Sequence, residues 1–95
     1  MELQFNPHAR RELEDATAYY LTINPSLGDY FANEAERVIS MILRLPEAFP
    51  SVAPSVRRCR MKRFPYGVVY RIKGNCIEII AVMHLSRRPL YWTER

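Results

Sequence analysis

The chain has 95 residues, 48% of them apolar and 25% charged. That is the size of one compact domain with one core and the composition of an ordinary globular protein, which excludes a disordered or two-domain reading. No apolar run approaches the ~18–20 residues of a membrane span, and Met1-Glu2-Leu3-Gln4 has neither the basic start nor the apolar stretch of a secretion signal, so a cytoplasmic protein is expected. The net charge of +4 hides an uneven split: four basic residues stand against eight acidic ones through residue 50, and ten against two from residue 51 onward. A half so basic attracts polyanions, whether nucleic acid, an acidic protein segment or phosphate.

In chain order, Glu2-Leu3-Gln4-Phe5 alternates polar and apolar residues as a short half-buried strand does. Asn6-Pro7 then supplies an N-cap and a first-turn proline, so a helix starts at Pro7. Ala9, Leu13, Ala16, Tyr20 and Ile23 recur at steps of three and four and gather on one face. Asn24-Pro25 ends this helix, because the residue before a proline is pushed out of helical geometry. A second helix from about Ser26 carries Leu27, Phe31, Ala35, Val38, Ile42 and Leu45 on one stripe and stops at Leu45-Pro46. The short turn between them predicts an antiparallel helical hairpin with one shared apolar side.

Pro46, Pro50 and Pro54 mark an irregular loop, after which the period becomes twofold. Val56 to Arg63 reads as a strand with Cys59 and Met61 facing in and Arg58, Arg60 and Lys62 facing out. Phe64-Pro65 is a turn. Tyr66 to Lys73 and Cys76 to His84 read as two strands joined by the hairpin loop Gly74-Asn75, and Leu85 to Arg95 as irregular structure or a short last strand. The predicted fold is α+β, in the order β-α-α-β-β-β, with the helical hairpin covering one face of a mostly antiparallel four-stranded sheet. The other face, basic and aromatic, is left for a partner.

Arg58, Arg60 and Lys62 on one strand would project about 6–7 Å apart, near the spacing of phosphates along an extended nucleic acid. Arg71 on the next strand and His84, Arg87 and Arg88 after the last one extend the set. Guanidinium groups hold phosphate bidentately, and Tyr66, Tyr70, Tyr91 and Trp92 offer rings for stacking. The same pattern also suits a solvated basic strand that discourages sheet-to-sheet aggregation. His84, where the apolar run ends, suits either a general acid or base or a strand-end cap, whereas His8 in the first helical turn is expected in solvent. Tyr19, Tyr20, Tyr30 and Phe31 lie at helical spacing and are expected to pack. Cys59 and Cys76 are expected as buried free thiols. No Gly-rich phosphate loop, metal-ligand cluster or Ser-His-Asp set can be assembled, so neither cofactor nor metal is expected.

Taken together, Phe5-Asn6-Pro7, the arginine-rich stretch Val56–Arg63, Phe64-Pro65-Tyr66 leading into Val69-Tyr70-Arg71-Ile72, and Ile79-Ile80-Ala81-Val82-Met83-His84 followed by Arg87, Pro89, Trp92 and Arg95 resemble the RelE/ParE superfamily of type II toxin–antitoxin modules. The ending is of the ParE type. The resemblance implies a small toxin held inactive by a cognate antitoxin whose C-terminal segment wraps it. ParE-like members inhibit DNA gyrase without being nucleases, whereas RelE-like members cut messenger RNA on the ribosome. A gyrase-binding toxin would use Arg58, Arg60, Lys62, Arg71, His84, Arg87, Arg88 and Trp92 for binding. A ribonuclease would instead use Lys62 or His84 as base, Tyr91 or His84 as acid, and Arg60, Arg71 and Arg87 to clamp phosphate. His84 is followed by Leu85, so the His-Tyr pair of some ribonuclease members is absent. The ParE-like reading is the expectation, and the mRNA-cleaving one its alternative.

Overall fold

The computed structural model describes residues 1–95 and orders them as β1 (Glu2–Phe5), α1 (Pro7–Ile23), α2 (Pro25–Arg44), β2 (Ser51–Ala53), β3 (Val56–Arg60), β4 (Tyr66–Lys73) and β5 (Cys76–His84). Two asparagines set the helix boundaries. The Asn6 side chain accepts the His8 N–H at 2.8 Å, and the Asn24 side chain accepts the Ser26 N–H at 2.8 Å while its own N–H closes α1 on the Tyr20 carbonyl. Pro7 and Pro25 each occupy a first-turn position, where the missing N–H has no helical partner to lose. One residue thus ends the first helix and caps the second, which forces the hairpin. Gly28 lets the helices close: a Cβ there would lie 2.4 Å from the Leu21 side chain.

The sheet order is β1-β5-β4-β3-β2, with β1 parallel to β5 and every other pair antiparallel. Five strands replace the expected four. The extra strand, β2, lies inside the loop read as irregular, and its three residues are too few to display a period. Pro50 and Pro54 flank it, a position edge strands tolerate because one side of their backbone needs no partner.

On the helix side, Ala9, Ala16, Phe31, Ala35, Val38 and Ile42 pack against Cys59, Val68, Tyr70, Ile77, Ile79 and Val82. The apolar stripes read from the sequence are these. Ile23 and Leu45 at the helix ends remain exposed, and so do Tyr19 and Tyr30, whereas Tyr20 packs on Phe31 with ring centres 5.1 Å apart. His8 is exposed; Cys59 is buried, and Cys76 is half-buried rather than buried.

The opposite sheet face differs from the expected open basic surface. Val69, Ile80, Ala81, Met83 and Trp92 form a second small core there, joined by Val52, Ala53, Val56 and Tyr91. A register shift of β5 against Val69/Tyr70 turns Ile80 and Ala81 to this side, while Ile79 and Val82 keep to the helix side. The segment 85–95, turns rather than a strand, folds over this face and buries Trp92. β5 is therefore covered on both sides, which is why its sequence runs apolar without alternation.

Candidate functional site

β3 ends at Arg60, three residues earlier than the twofold pattern suggested. Arg63 adopts φ 69°, a left-handed turn conformation, so Lys62 leaves the strand and the three cations do not form one row. Arg58 and Arg60 stay on β3. The Arg58 stem lies over Gly67 of β4: a Cβ on Gly67 would meet it at 3.0 Å and the Leu85 side chain at 3.5 Å. The missing side chain at position 67 is the trough that lays Arg58 across the sheet.

The last residues of β3, the first of β4 and the last of β5 share one end of the sheet, where Arg60 stands opposite Gly67 and Tyr66 opposite His84. Arg58, Arg60, Lys62 and Arg63 belong to β3 and the turn after it, Arg87 and Arg88 to the turn after β5, and none has a carboxylate within 4.0 Å. A cleft of about 590 Å³, lined by Arg37, Met41, Phe49, Arg58, Arg60 and Lys62 among others, opens on its β3 side. Glu34 lies outside this cleft but holds two of its lining residues. Its carboxylate accepts two hydrogen bonds from Arg37, at 2.6 and 2.8 Å, and the Lys62 N–H at 2.5 Å. The Arg37 hydrogen bonds foremost, then the Lys62 amide, hold the Glu34 carboxyl below the usual carboxylate range against the opposing effect of burial.

Other cations of the basic half are engaged. Arg71 binds Glu78 at 2.6 Å across β4 and β5, and Arg57 donates to the Phe49 and Glu47 carbonyls at 2.8 and 3.2 Å. Arg71 thus stands at the far end of β4 from Arg60 and is not brought together with it. Arg95 pairs with Glu12 at 2.7 Å.

Beside the open end, His84 accepts the Ser86 N–H on Nδ1 at 3.1 Å, and its ring meets Tyr66 edge-on at 5.1 Å. That leaves Nε2 to carry the proton of the neutral ring. Arg87 lies 4.0 Å over the Tyr91 ring. A small cleft of about 230 Å³ lies between them and α1, with Glu12, Asp15 and Tyr19 on its other wall.

The aromatic residues offered for stacking divide. Tyr70 is fully buried, donates its hydroxyl to the Pro46 carbonyl at 2.5 Å, and has its pKa pushed up to about 12 by burial. Trp92 is in the second core, so it packs and is not available for a ligand. The Tyr91 hydroxyl donates to Glu12 at 2.6 Å, and burial, then that hydrogen bond, raises its pKa far above the ordinary tyrosine value. A phenol so placed is a poor proton donor to an outside group. Tyr66 is half-buried, its pKa also raised by burial.

Two residues that organise the site escaped the sequence reading: Glu12 and Glu34. Both occupy buried helical stripes, three residues after Ala9 or Phe31 and four before Ala16 or Val38. An acid at such a position needs a partner, and that was the available signal.

A second surface lies on the helix side. Leu3, Phe5, Leu13, Leu21, Ile39 and Leu43 line a groove of about 680 Å³ between β1 and the helices, with Glu14 and Glu36 also on its wall. No helix is long and apolar enough to cross a membrane.

Residues 3–89 match the family model described as the ParE toxin of the type II toxin–antitoxin system parDE. Among solved structures, a chain of one described as "Chromosomal ParDE TA system from P. aeruginosa" superposes with a TM-score of 0.70 at 22% identity, covering 88% of this chain and 95% of that one. A search of curated protein sequences finds no match.

Proposed function

The chain belongs to the ParE toxin family of type II toxin–antitoxin systems, and from that premise we propose that it arrests growth by binding DNA gyrase through the open basic end of its sheet and is neutralised by a cognate antitoxin. The observation that carries this reading is the set of cations without carboxylate partners at that end: Arg58, Arg60, Lys62, Arg87 and Arg88. Unpaired guanidinium groups keep their hydrogen-bonding capacity for a partner's carboxylates or phosphates. Binding is favoured over RNA cleavage because the Tyr91 hydroxyl is committed to Glu12 and His84 Nδ1 to Ser86. Of the two candidate acids, only His84, through Nε2, then stays open to an outside phosphate.

The antitoxin seat in this reading is the apolar groove between β1 and the helices. A flexible amphipathic segment that folds as it binds would lay apolar side chains against Leu13, Leu21 and Ile39, and Glu14 and Glu36 favour basic residues beside them. The test is a gyrase supercoiling assay run beside a ribosome-dependent cleavage assay. Inhibited supercoiling with intact message is expected. Cut message with undisturbed supercoiling would select the RelE-like alternative. For the antitoxin, Leu21→Lys should leave growth arrest intact and abolish its relief on co-expression; unimpaired relief rejects the groove as the seat.

A further inference from the structure

The outer edge of β5 is closed by two different means. Along Cys76 to Ile79 it pairs with β1, and the Asn6 N–H adds a last bond to the Ile79 carbonyl at 2.9 Å. Beyond Ile79 no strand continues, although β5 runs on to His84. Side chains take over there. Glu12 accepts the Val82 N–H at 3.0 Å, and Arg95 donates to the Ile80 carbonyl at 3.2 Å. A carboxylate and a guanidinium occupy the acceptor and donor positions that a neighbouring strand would fill.

These two side chains are locked to each other and to the segment that carries one of them. Arg95 grips Glu12 with contacts of 2.7 and 3.1 Å, and the Tyr91 hydroxyl holds the same carboxylate at 2.6 Å. The Arg87 and Arg95 guanidinium groups lie 4.0 and 5.0 Å from the Tyr91 ring centre. Tyr91 and Arg95 both fall outside the residues the family model matches, 3–89.

We propose that residues 87–95 are a strap which, fastened by Glu12, occupies a strand-addition edge on β5 and thereby keeps this chain from pairing through that edge with a second copy of itself. The edge in question is the run Ile79-Ile80-Ala81-Val82-Met83, uncharged and rich in β-formers, the kind of segment that templates strand pairing when its N–H and C=O groups are free. Two such edges brought together by a twofold axis pair antiparallel, each supplying the other's missing neighbour. A clasp of a few side-chain hydrogen bonds, unlike a fully paired strand, can open locally while the helix-side core stays folded. The inference is independent of the toxin's target.

Sedimentation velocity of the full chain across a wide concentration range tests it, with hydrogen exchange at the Val82 amide as the local reporter. Wild-type protein should stay monomeric with Val82 protected. Glu12→Ala should associate as concentration rises; in dilute solution its Val82 amide should exchange at least about tenfold faster, the loss of one charge-assisted hydrogen bond, and regain protection on association. Should Glu12→Ala fail to fold, the double variant Tyr91→Phe/Arg95→Gln, which undoes the polar clasp while leaving α1 and the Trp92 anchor untouched, decides by its association and the same concentration-dependent amide protection. A folded variant that stays monomeric, or one that associates without restoring protection at Val82, overturns the proposal.

Discussion

The two ends of the sheet carry the same residue type to opposite effect. Toward the β4–β5 hairpin, Arg71 is tied to Glu78, and Arg57 to carbonyls of the loop before β2. At the other end, Arg60, Arg87 and Arg88 are exposed and Arg58 half-buried, and none has a carboxylate within 4.0 Å. Positive charge thus stays free for a partner only where the fold withholds acids. An arginine whose hydrogen bonds are already made contributes architecture, and one with its fork unspent contributes recognition.

Four experiments bear on that contrast. Replacing Arg58, Arg60 and Arg87 together by Ala should reduce gyrase inhibition by about a hundredfold or more, since interface arginines each cost about 1–2 kcal/mol or more on truncation. Thermal unfolding should stay close to wild type; undiminished inhibition breaks the contrast. Next in size, Glu34→Ala removes the carboxylate that docks α2 on the Lys62 backbone and pairs with Arg37, and should cost about 2 kcal/mol in denaturant unfolding.

Acid titration sharpens the same point. The folded pKa of Glu34 is depressed, so its stabilisation is complete above the ordinary carboxylate value of 4.5 and is lost as pH falls through the lower folded value. The stability gap between wild type and Glu34→Gln should therefore narrow as the pH drops below about 4.5; a constant gap down to the acid transition contradicts the assignment. The smallest effect belongs to Arg71→Ala. Its pair with Glu78 is partly exposed, so the loss in a melting experiment should be within about 1 kcal/mol, with growth arrest unchanged. Arrest lost with Arg71 alone would place recognition at both ends of the sheet.

Much of the architecture was legible because local chemistry dictated it. Asn6-Pro7 and Asn24-Pro25 write the helix starts into four residues, and Gly74-Asn75 joins the last two strands with Gly74 at φ 58°. The stripe through Phe31, Ala35, Val38 and Ile42 predicted the buried face of α2, all four residues being at most 2% exposed. β2 was not legible, because a three-residue strand exists only by pairing with β3. Nor was the role of Trp92: an aromatic residue among arginines suits a stacking platform as well as a packing plug, and the choice depends on whether segment 85–95 folds back over Val69 and Met83.

The sequence by itself determined the helical hairpin, the strand pattern after it and the excess of positive charge in the second half, since capping, periodicity and composition act over a few residues. Only the tertiary structure decided which cations are free. Glu12 and Glu34, far from their partners along the chain, reach Arg95 and the Lys62 backbone through the packing of helices on sheet. Electrostatic engagement depends on distances of a few ångströms, and those are set by how the layers pack and not by position in the chain.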